Sequence, residues 1–288
     1  MRRYLAEFLS DPRVVQLPRF IWLPILHGIV LRTRPAKSAK KYASVWTPEG
    51  SPLAVHTRRQ AGLLREHLSK EGFSVEYAMR YGEPTIADGL RKLSGCRKIV
   101  VLPLYPQFAN STTESIRDVI GANVAMVESF HDHPAYIGAL AAGVQRHWAA
   151  QGKGEKLVMS FHGLPQRAVD LGDPYQAQCL VTAKVLAGSL RISPADYLVT
   201  FQSRFGAAKW LQPYTEPTLV ELARTGTRRV DVVCPGFVSD CLETLEEIAI
   251  EAKRAFLDAG GREFHALPCL NESPEWIAAL AKIVETAP

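Results

Sequence analysis

Two hydrophobic periods alternate along this chain, and they predict its secondary structure. Short runs rich in β-branched and aromatic residues predict strands, and segments with a 3.6-residue period between them predict helices. Strands are expected at 73–79, 98–104, 123–130, 156–161, 196–201, 229–234 and 263–268. Helices are expected at 52–70, 85–93, 113–120, 134–150, 175–190, 218–224, 240–257 and 274–286.

The repeated order of strand and helix predicts an α/β protein with parallel sheets that carry helices on both faces. We interpret the chain as two doubly wound domains. The first is predicted to comprise residues 1–135 together with the last helix, 273–288, and the second residues 136–272. Ligands of such sheets bind beyond the carboxyl ends of the strands, so the polar residues that follow each strand are the first candidates for a site.

The composition indicates a protein that folds without disulfide bonds. The chain has 288 residues and 47% apolar content, enough to bury one large core or two of medium size. Its five cysteines are scattered, with no CxxC pair and no Cys/His cluster at zinc-ligand spacing. The N-terminus lacks the apolar core of a signal peptide. We therefore expect a cytoplasmic protein without a structural metal site.

The positive charge is concentrated at the start of the chain. The net charge is +5, but residues 1–41 hold nine basic and two acidic groups. Within this segment the apolar stretch 20–31 is too short to span a bilayer, which takes roughly 20 residues. With its basic flanks, segment 19–41 could rest on an anionic membrane, line the mouth of a site for a flat apolar ligand with carboxylates, or be a buried helix with a solvated flank. Nucleic acid is a poor candidate, because no recognition motif accompanies the charge.

His162 is the first candidate for chemistry. It follows the strand at 156–161 and precedes a Gly-Leu-Pro turn, which places it at a strand tip with its side chain free to face a cleft. A histidine in that position is a natural base near neutral pH. The alternative is a histidine that only bonds the turn backbone.

A helix rich in carboxylates is the second candidate. Asp240, Glu243, Glu247 and Glu251 have the spacing of one helix face, where like charges repel unless protons or a divalent cation lie against them. The alternative is a solvated acidic face near a helix N-terminus, which the helix dipole favours.

Other patterns narrow the function. Neither a glycine-rich phosphate loop nor a GxSxG nucleophile elbow occurs, which disfavours nucleotide-dependent and serine-hydrolase chemistry. The aromatic loop 201–214, with Trp210, could line a site or close over a core. The pair His131 and His133 could bind a cation, but before Pro134 it is more typical of a helix-capping turn.

Several motifs together resemble the ferrochelatase family. The segment 157–165, LVMSFHGLP, followed by DLGDPY at 170–175, is similar to the family signature. Segments 104–108, 111–113, 200–206, 210–214 and 232–247 resemble the same family in the same order. The resemblance runs from about residue 2 to the C-terminus and is strongest with the Gram-negative bacterial branch.

The resemblance implies two Rossmann-like domains with a porphyrin cleft between them. The implied reaction is the last step of haem biosynthesis, in which Fe(II) and protoporphyrin IX give protohaem and two protons. His162 would be the base facing the pyrroles and Glu243 the carboxylate opposite, with Asp240 and Glu247 extending an acidic path; these four are the implied iron ligands. The porphyrin-binding residues it implies are Arg80, Tyr81, Tyr105, Trp210 and Phe237.

The chain also departs from the family pattern. The family ordinarily begins with a strand ahead of the helix that starts here at Arg2, so we expect either that the start of this sequence is misplaced or that the first domain has an exposed sheet edge. Cys241 stands where many relatives have histidine. We expect no [2Fe-2S] cluster and no tightly bound cofactor, with iron as a substrate. Two other functions stay open: a chelatase for coproporphyrin or another metal, and a porphyrin or haem carrier without turnover.

Overall fold

Two parallel sheets organise the protein. The computed structural model describes residues 1–121, 124–206 and 208–287. The smaller sheet pairs β1 (Val100–Val101) with β2 (Ala125–Met126). The larger sheet contains β3 (Lys156–His162), β4 (Tyr197–Gln202), β5 (Arg229–Val233) and β6 (Glu263–Ala266), in the order β4-β3-β5-β6.

Helices connect and cover these strands. The α-helices of the described residues are α1 (Arg2–Ser10), α2 (Arg19–Ile25), α3 (Leu31–Val45), α4 (Pro52–His67), α5 (Ile86–Lys92), α6 (Ser115–Ile120), α7 (Pro134–Gln151), α8 (Gln166–Asp170), α9 (Tyr175–Leu190), α10 (Thr215–Arg224), α11 (Lys253–Asp258) and α12 (Pro274–Glu285). Wider π-helical segments occur at Leu26–Val30, Asn110–Glu114 and Glu243–Ala252, and a short 3₁₀ turn at Ser69–Glu71.

Strand β3 is the centre of the larger sheet and is buried on both faces. Leu157, Met159 and Phe161 join the largest apolar cluster, and Val158 joins a second one on the opposite face. Side chains alternate between the faces of a strand, so the consecutive apolar residues Leu157, Val158 and Met159 require cover on both sides. This burial fixes β3 firmly and holds His162 at its carboxyl end.

The predicted α/β class with parallel sheets is confirmed, and the strands of the larger sheet lie within one or two residues of their predicted bounds. In the first half the predictions were too long. The segment 73–79 forms no strand, 98–104 is reduced to β1, and 123–130 is reduced to β2, with Asn123 outside the described residues. The physical reason is pairing: β1 and β2 pair only with each other among the described strands, so neither ladder extends.

A helix occupies nearly all of the predicted range 240–257, but most of it is π-helical. Asp240 precedes the helix, and the π segment Glu243–Ala252 runs into α11. A π-helix closes i→i+5 hydrogen bonds and is commonly found at functional sites.

The division into residues 1–135 with 273–288 and residues 136–272 stays a prediction. The largest apolar cluster is continuous across that boundary, since it includes Leu64, Tyr136, Leu157 and Leu280.

Candidate active site

His162 ends β3 with a defined proton position. Its Nδ1 lies 2.6 Å from the Gly163 carbonyl oxygen, which can only accept a hydrogen bond. Nδ1–H is therefore the donor, and in the neutral ring Nε2 keeps its lone pair. The Tyr175 hydroxyl donates to the His162 carbonyl at 2.9 Å and holds the backbone. The imidazole thus has the tautomer of a base whose Nε2 can accept a proton.

Gly163 allows this close packing. A Cβ atom added there would lie 2.7 Å from the Gln202 carbonyl oxygen and 3.2 Å from the Trp210 ring. The Gly163 N–H donates to the same carbonyl at 2.7 Å, so neither backbone can move away without breaking that bond. A side chain at this position would push the His162 turn off β4.

We expect Gly163→Ala to lower the free energy of unfolding by about 1–3 kcal/mol, the usual cost of overpacking a close-packed interior. Chemical denaturation measures the change. Gly138→Ala is the matched control, because Gly138 lies in α7 with no atom within 4 Å of an added Cβ. Equal stabilities for the two variants would contradict the packing argument.

Glu243 begins the π segment and faces a group of phenols. Burial and the charge of Glu243 together raise the pKa of Tyr42 to about 12. Burial is also the main cause that raises the pKa of Tyr4 and of Tyr105, and Glu243 contributes to both. Phenols that stay protonated can donate hydrogen bonds to a nearby carboxylate. Tyr4 and Tyr42 are site neighbours that the sequence prediction missed.

Glu247 shares its surroundings with both predicted catalytic residues. Its carboxylate accepts hydrogen bonds from the Ser203 N–H at 2.7 Å and from the Ser203 hydroxyl. Burial raises the pKa of Glu247, and the charge of Glu243 raises it further, while Ser203 and His162 act in the opposite direction. The geometry agrees with these influences, because Ser203 follows Gln202, which pairs with His162 in the sheet and donates to the Glu243 carbonyl.

Asp240 is held within the fold. Its Oδ2 accepts a hydrogen bond from Asn271 Nδ2 at 2.6 Å, and its Oδ1 accepts one from the Thr244 hydroxyl at 2.9 Å. Only 7% of the residue is exposed. These contacts are typical of a structural carboxylate that ties the turn before the π segment to the chain after β6.

Arg80 and Tyr81 belong to a network centred on Asp11. One oxygen, Oδ2 of Asp11, accepts hydrogen bonds from Arg80 at 2.6 Å, Tyr81 at 2.9 Å and the Ser115 hydroxyl at 2.6 Å. Arg80 also donates to the Ser115 carbonyl at 2.9 Å and lies over the Tyr81 ring at 4.6 Å. The sequence prediction missed Asp11 and Ser115, which fix this pair in place.

The three predicted pocket aromatics differ in exposure. Although desolvation of its phenol raises the pKa of Tyr105, 40% of the residue is exposed, and the charges of Glu243 and Arg80 both act on that phenol. The Phe237 ring lies 6.2 Å from the His162 ring. Trp210 is only 5% exposed and donates to the Phe205 carbonyl at 3.0 Å, so it packs beneath the His162 turn rather than lining open space.

The helices of the N-terminal segment lie beside this site. Leu5, Leu9, Leu26 and Leu31 form their own small core. Lys41 of α3 binds Glu246 at 2.9 Å and Glu251 at 3.0 Å, which attaches α3 to the π segment. No helix of the described residues is both long and apolar enough to cross a membrane.

The structure also bears on metal binding at the His131 and His133 pair and elsewhere in the chain. His133 caps α7 by accepting a hydrogen bond from the Ala135 N–H at 3.2 Å, as the capping interpretation predicted. Within residues 1–121, 124–206 and 208–287, no three His, Cys, Asp or Glu side chains are grouped closely enough to hold a metal ion, so the implied iron ligands His162, Asp240, Glu243 and Glu247 do not form a preassembled site. All five cysteines are free thiols.

The chain is similar to known proteins along its whole length. The ferrochelatase family model matches residues 1–287. A ferrochelatase of Polaromonas sp. is 58% identical over 98% of this chain and 80% of that protein, and one of Azoarcus sp. is 56% identical over 99% and 82%. SirB from Bacillus subtilis with Fe³⁺ has the same fold, with a TM-score of 0.56 at 15% identity over 82% of this chain and 91% of that one. This chain belongs to the ferrochelatase family.

Proposed function

We propose that this chain inserts Fe(II) into protoporphyrin IX, giving protohaem and two protons. The observation that carries the proposal is that His162 pairs in the sheet with Gln202, and that Gln202 and the adjacent Ser203 bond to Glu243 and Glu247. Insertion requires two pyrrole N–H protons to leave while the ion enters the ring, so a base and carboxylates beside the macrocycle are the groups the reaction needs.

Each residue has a role in this proposal. Nε2 of His162 accepts a pyrrole proton, and the Gly163 carbonyl stabilises the imidazolium through Nδ1–H. Glu243 acts as the opposing carboxylate that receives iron and a second proton. Glu247 extends the path for iron, because it lines a pocket of about 170 Å³ together with Glu216 and Glu251. Asp240, whose oxygens are engaged, supports the turn that leads into this path.

The porphyrin is proposed to lie against Tyr105, Phe237 and the pair Arg80 and Tyr81. Tyr105 offers an exposed aromatic face between Arg80 and Glu243. The Asp11 network keeps the Arg80 guanidinium in one position, which limits the entropy lost on binding. Trp210 would contribute by supporting the His162 turn from below.

An anaerobic assay tests the proposal. The purified chain is mixed with protoporphyrin IX and Fe(II), and the loss of porphyrin fluorescence is followed. Catalytic turnover supports iron insertion. Tight porphyrin binding with no turnover would support the carrier instead, and turnover restricted to coproporphyrin or to another metal would support a different chelatase.

We also propose that segment 19–41 contacts the cytoplasmic surface of the membrane. Phe20 is 80% exposed, Ile29 60% and Ile21 46%, so an apolar face of the segment is open to solvent, while Leu26 and Leu31 are buried in its small core. The same segment carries most of the basic residues of the N-terminal region. Apolar side chains beside positive charge are the pattern of a helix that lies on anionic lipid.

We expect the double variant Phe20→Ser, Ile29→Ser to bind anionic vesicles about tenfold or more weakly, since each buried apolar side chain contributes about 1.5–3 kcal/mol. Vesicle co-sedimentation measures the change. The control is Leu180→Ser, Val185→Ser on α9, where the two side chains are 49% and 40% exposed. Equal losses in both double variants would contradict a specific membrane face.

A further inference from the structure

Two consecutive residues at the end of β4 hold the π segment that carries the proposed iron-site carboxylates. Gln202 Nε2 donates to the Glu243 carbonyl at 2.9 Å. Ser203, the next residue, donates its N–H to Glu247 Oε1 at 2.7 Å and its hydroxyl to the other carboxylate oxygen. The carboxyl end of β4 is therefore hydrogen-bonded to the π segment at Glu243, its first residue, and at Glu247.

Gln202 also holds the strand end that carries His162. Gln202 is the register partner of His162 in the pairing of β3 with β4. Its carbonyl accepts the Gly163 N–H at 2.7 Å. One residue thus bonds directly to the turn that bears the proposed base and to the residue that bears the proposed carboxylate.

The Gln202 side chain has one orientation. It is 4% exposed, and its Oε1 accepts the Ser160 hydroxyl at 2.6 Å. A flipped amide would place Oε1 against the Glu243 carbonyl, two acceptors without a proton between them. The Ser160 oxygen in turn accepts a hydrogen bond from the Thr215 hydroxyl at 2.8 Å, because the Ser160 proton is engaged with Gln202.

Ser203 has an unusual backbone for a side chain of its kind. Its φ is +64°, in the left-handed region that residues other than glycine seldom adopt. In this conformation both its N–H and its hydroxyl reach the Glu247 carboxylate. Backbone held in a sparsely populated region commonly marks a functional site.

We infer that Gln202 is a positioning residue that fixes the His162 imidazole relative to the Glu243 carboxylate, and that Ser203 orients Glu247 in the same way. The inference rests on the proposed iron insertion. A row of hydrogen bonds runs behind the site from Ser160 through Gln202 to the backbone of Glu243. We expect it to fix the distance between the His162 base and the Glu243 carboxylate.

The test compares Gln202→Leu, which has similar size and no amide, with the unaltered chain. We expect kcat to fall by about 10- to 100-fold, because small misplacements of reacting groups have effects of that order. The KM for porphyrin should stay within about twofold, since Gln202 is buried behind the site. Ser160→Ala, which removes the contact to the amide together with a hydrogen bond to Thr215 but keeps the Gln202 side chain, should lower kcat less and also leave KM unchanged.

The matched control is Trp148→Phe, which deletes a hydrogen bond of 2.7 Å to buried Asp231 in the same sheet, away from the His162 end of β3. It should keep full kcat. If the unaltered chain turns over and His162→Ala does not, a Gln202→Leu variant as active as Trp148→Phe overturns the inference and leaves the proposed function standing. A Gln202→Leu variant in which kcat and the KM for porphyrin change equally also overturns the inference. If Gln202→Leu folds poorly, the kcat and KM of Ser160→Ala are compared with those of Trp148→Phe in its place. An unaltered chain that never metallates porphyrin refutes the proposed function instead.

Discussion

Replacing His162 with alanine is expected to abolish iron insertion while porphyrin binding persists. The Gly163 carbonyl fixes the proton of the neutral ring on Nδ1, so Nε2 is the atom able to accept a pyrrole proton. Removal of a general base lowers turnover by about 10²- to 10⁴-fold. Binding should survive, because the Asp11 network holds Arg80 and Tyr81 independently of His162.

Single-turnover iron insertion by the porphyrin-loaded variant measures this effect. Added imidazole should restore part of the rate, because it replaces the missing base in the space that the side chain leaves. His67→Ala is the control, since His67 is an exposed residue of α4. A His162→Ala variant with full kcat, or one that loses porphyrin binding as well as turnover, would contradict the assigned role.

Glu243→Gln is expected to lower kcat by about two orders of magnitude, because it removes a charge and a proton acceptor at unchanged size. The same change should lower the pKa of Tyr42, now about 12, since the Glu243 charge is the second cause of its elevation after burial. Spectroscopic titration of the tyrosines reads this shift without any metal or porphyrin.

Glu246→Gln provides the control for that variant. Glu246 lies on the same π segment but pairs with Lys41, which keeps its second partner Glu251. It should retain turnover and leave the Tyr42 titration unchanged. If both glutamine variants lose activity equally, the effect belongs to the stability of the segment and not to the Glu243 carboxylate.

The strand that carries His162 could be predicted from the sequence because its signal is local. The run from Leu157 to Phe161, apolar except for Ser160 and buried on both faces, has few alternatives to a central parallel strand. The residue at its carboxyl end then lies where open α/β sheets bind ligands. The roles of Arg80 and Trp210 came only from the family resemblance.

Partners distant in sequence could not be predicted in this way. Asp11 reaches Ser115 across 104 positions, and Gln202 reaches Glu243 across 41, and neither pair has a local pattern. The π segment was missed because a hydrophobic pattern indicates that a segment is helical and buried, but not whether its backbone closes α-type or i→i+5 hydrogen bonds. The prediction of a strand at 73–79 was wrong because strand propensity reports only that residues suit a half-buried sheet surface. It does not show that a neighbouring strand is available for pairing.

A single-turnover reaction measures iron insertion and proton release together. The porphyrin-loaded chain is mixed with Fe(II) without oxygen, in a weakly buffered solution that contains a pH indicator. If the chain inserts iron, we expect porphyrin fluorescence to be lost as protohaem forms and two protons to be released for each iron inserted. Porphyrin that stays bound and fluorescent, with no proton release, would contradict iron insertion and identify the chain as a carrier.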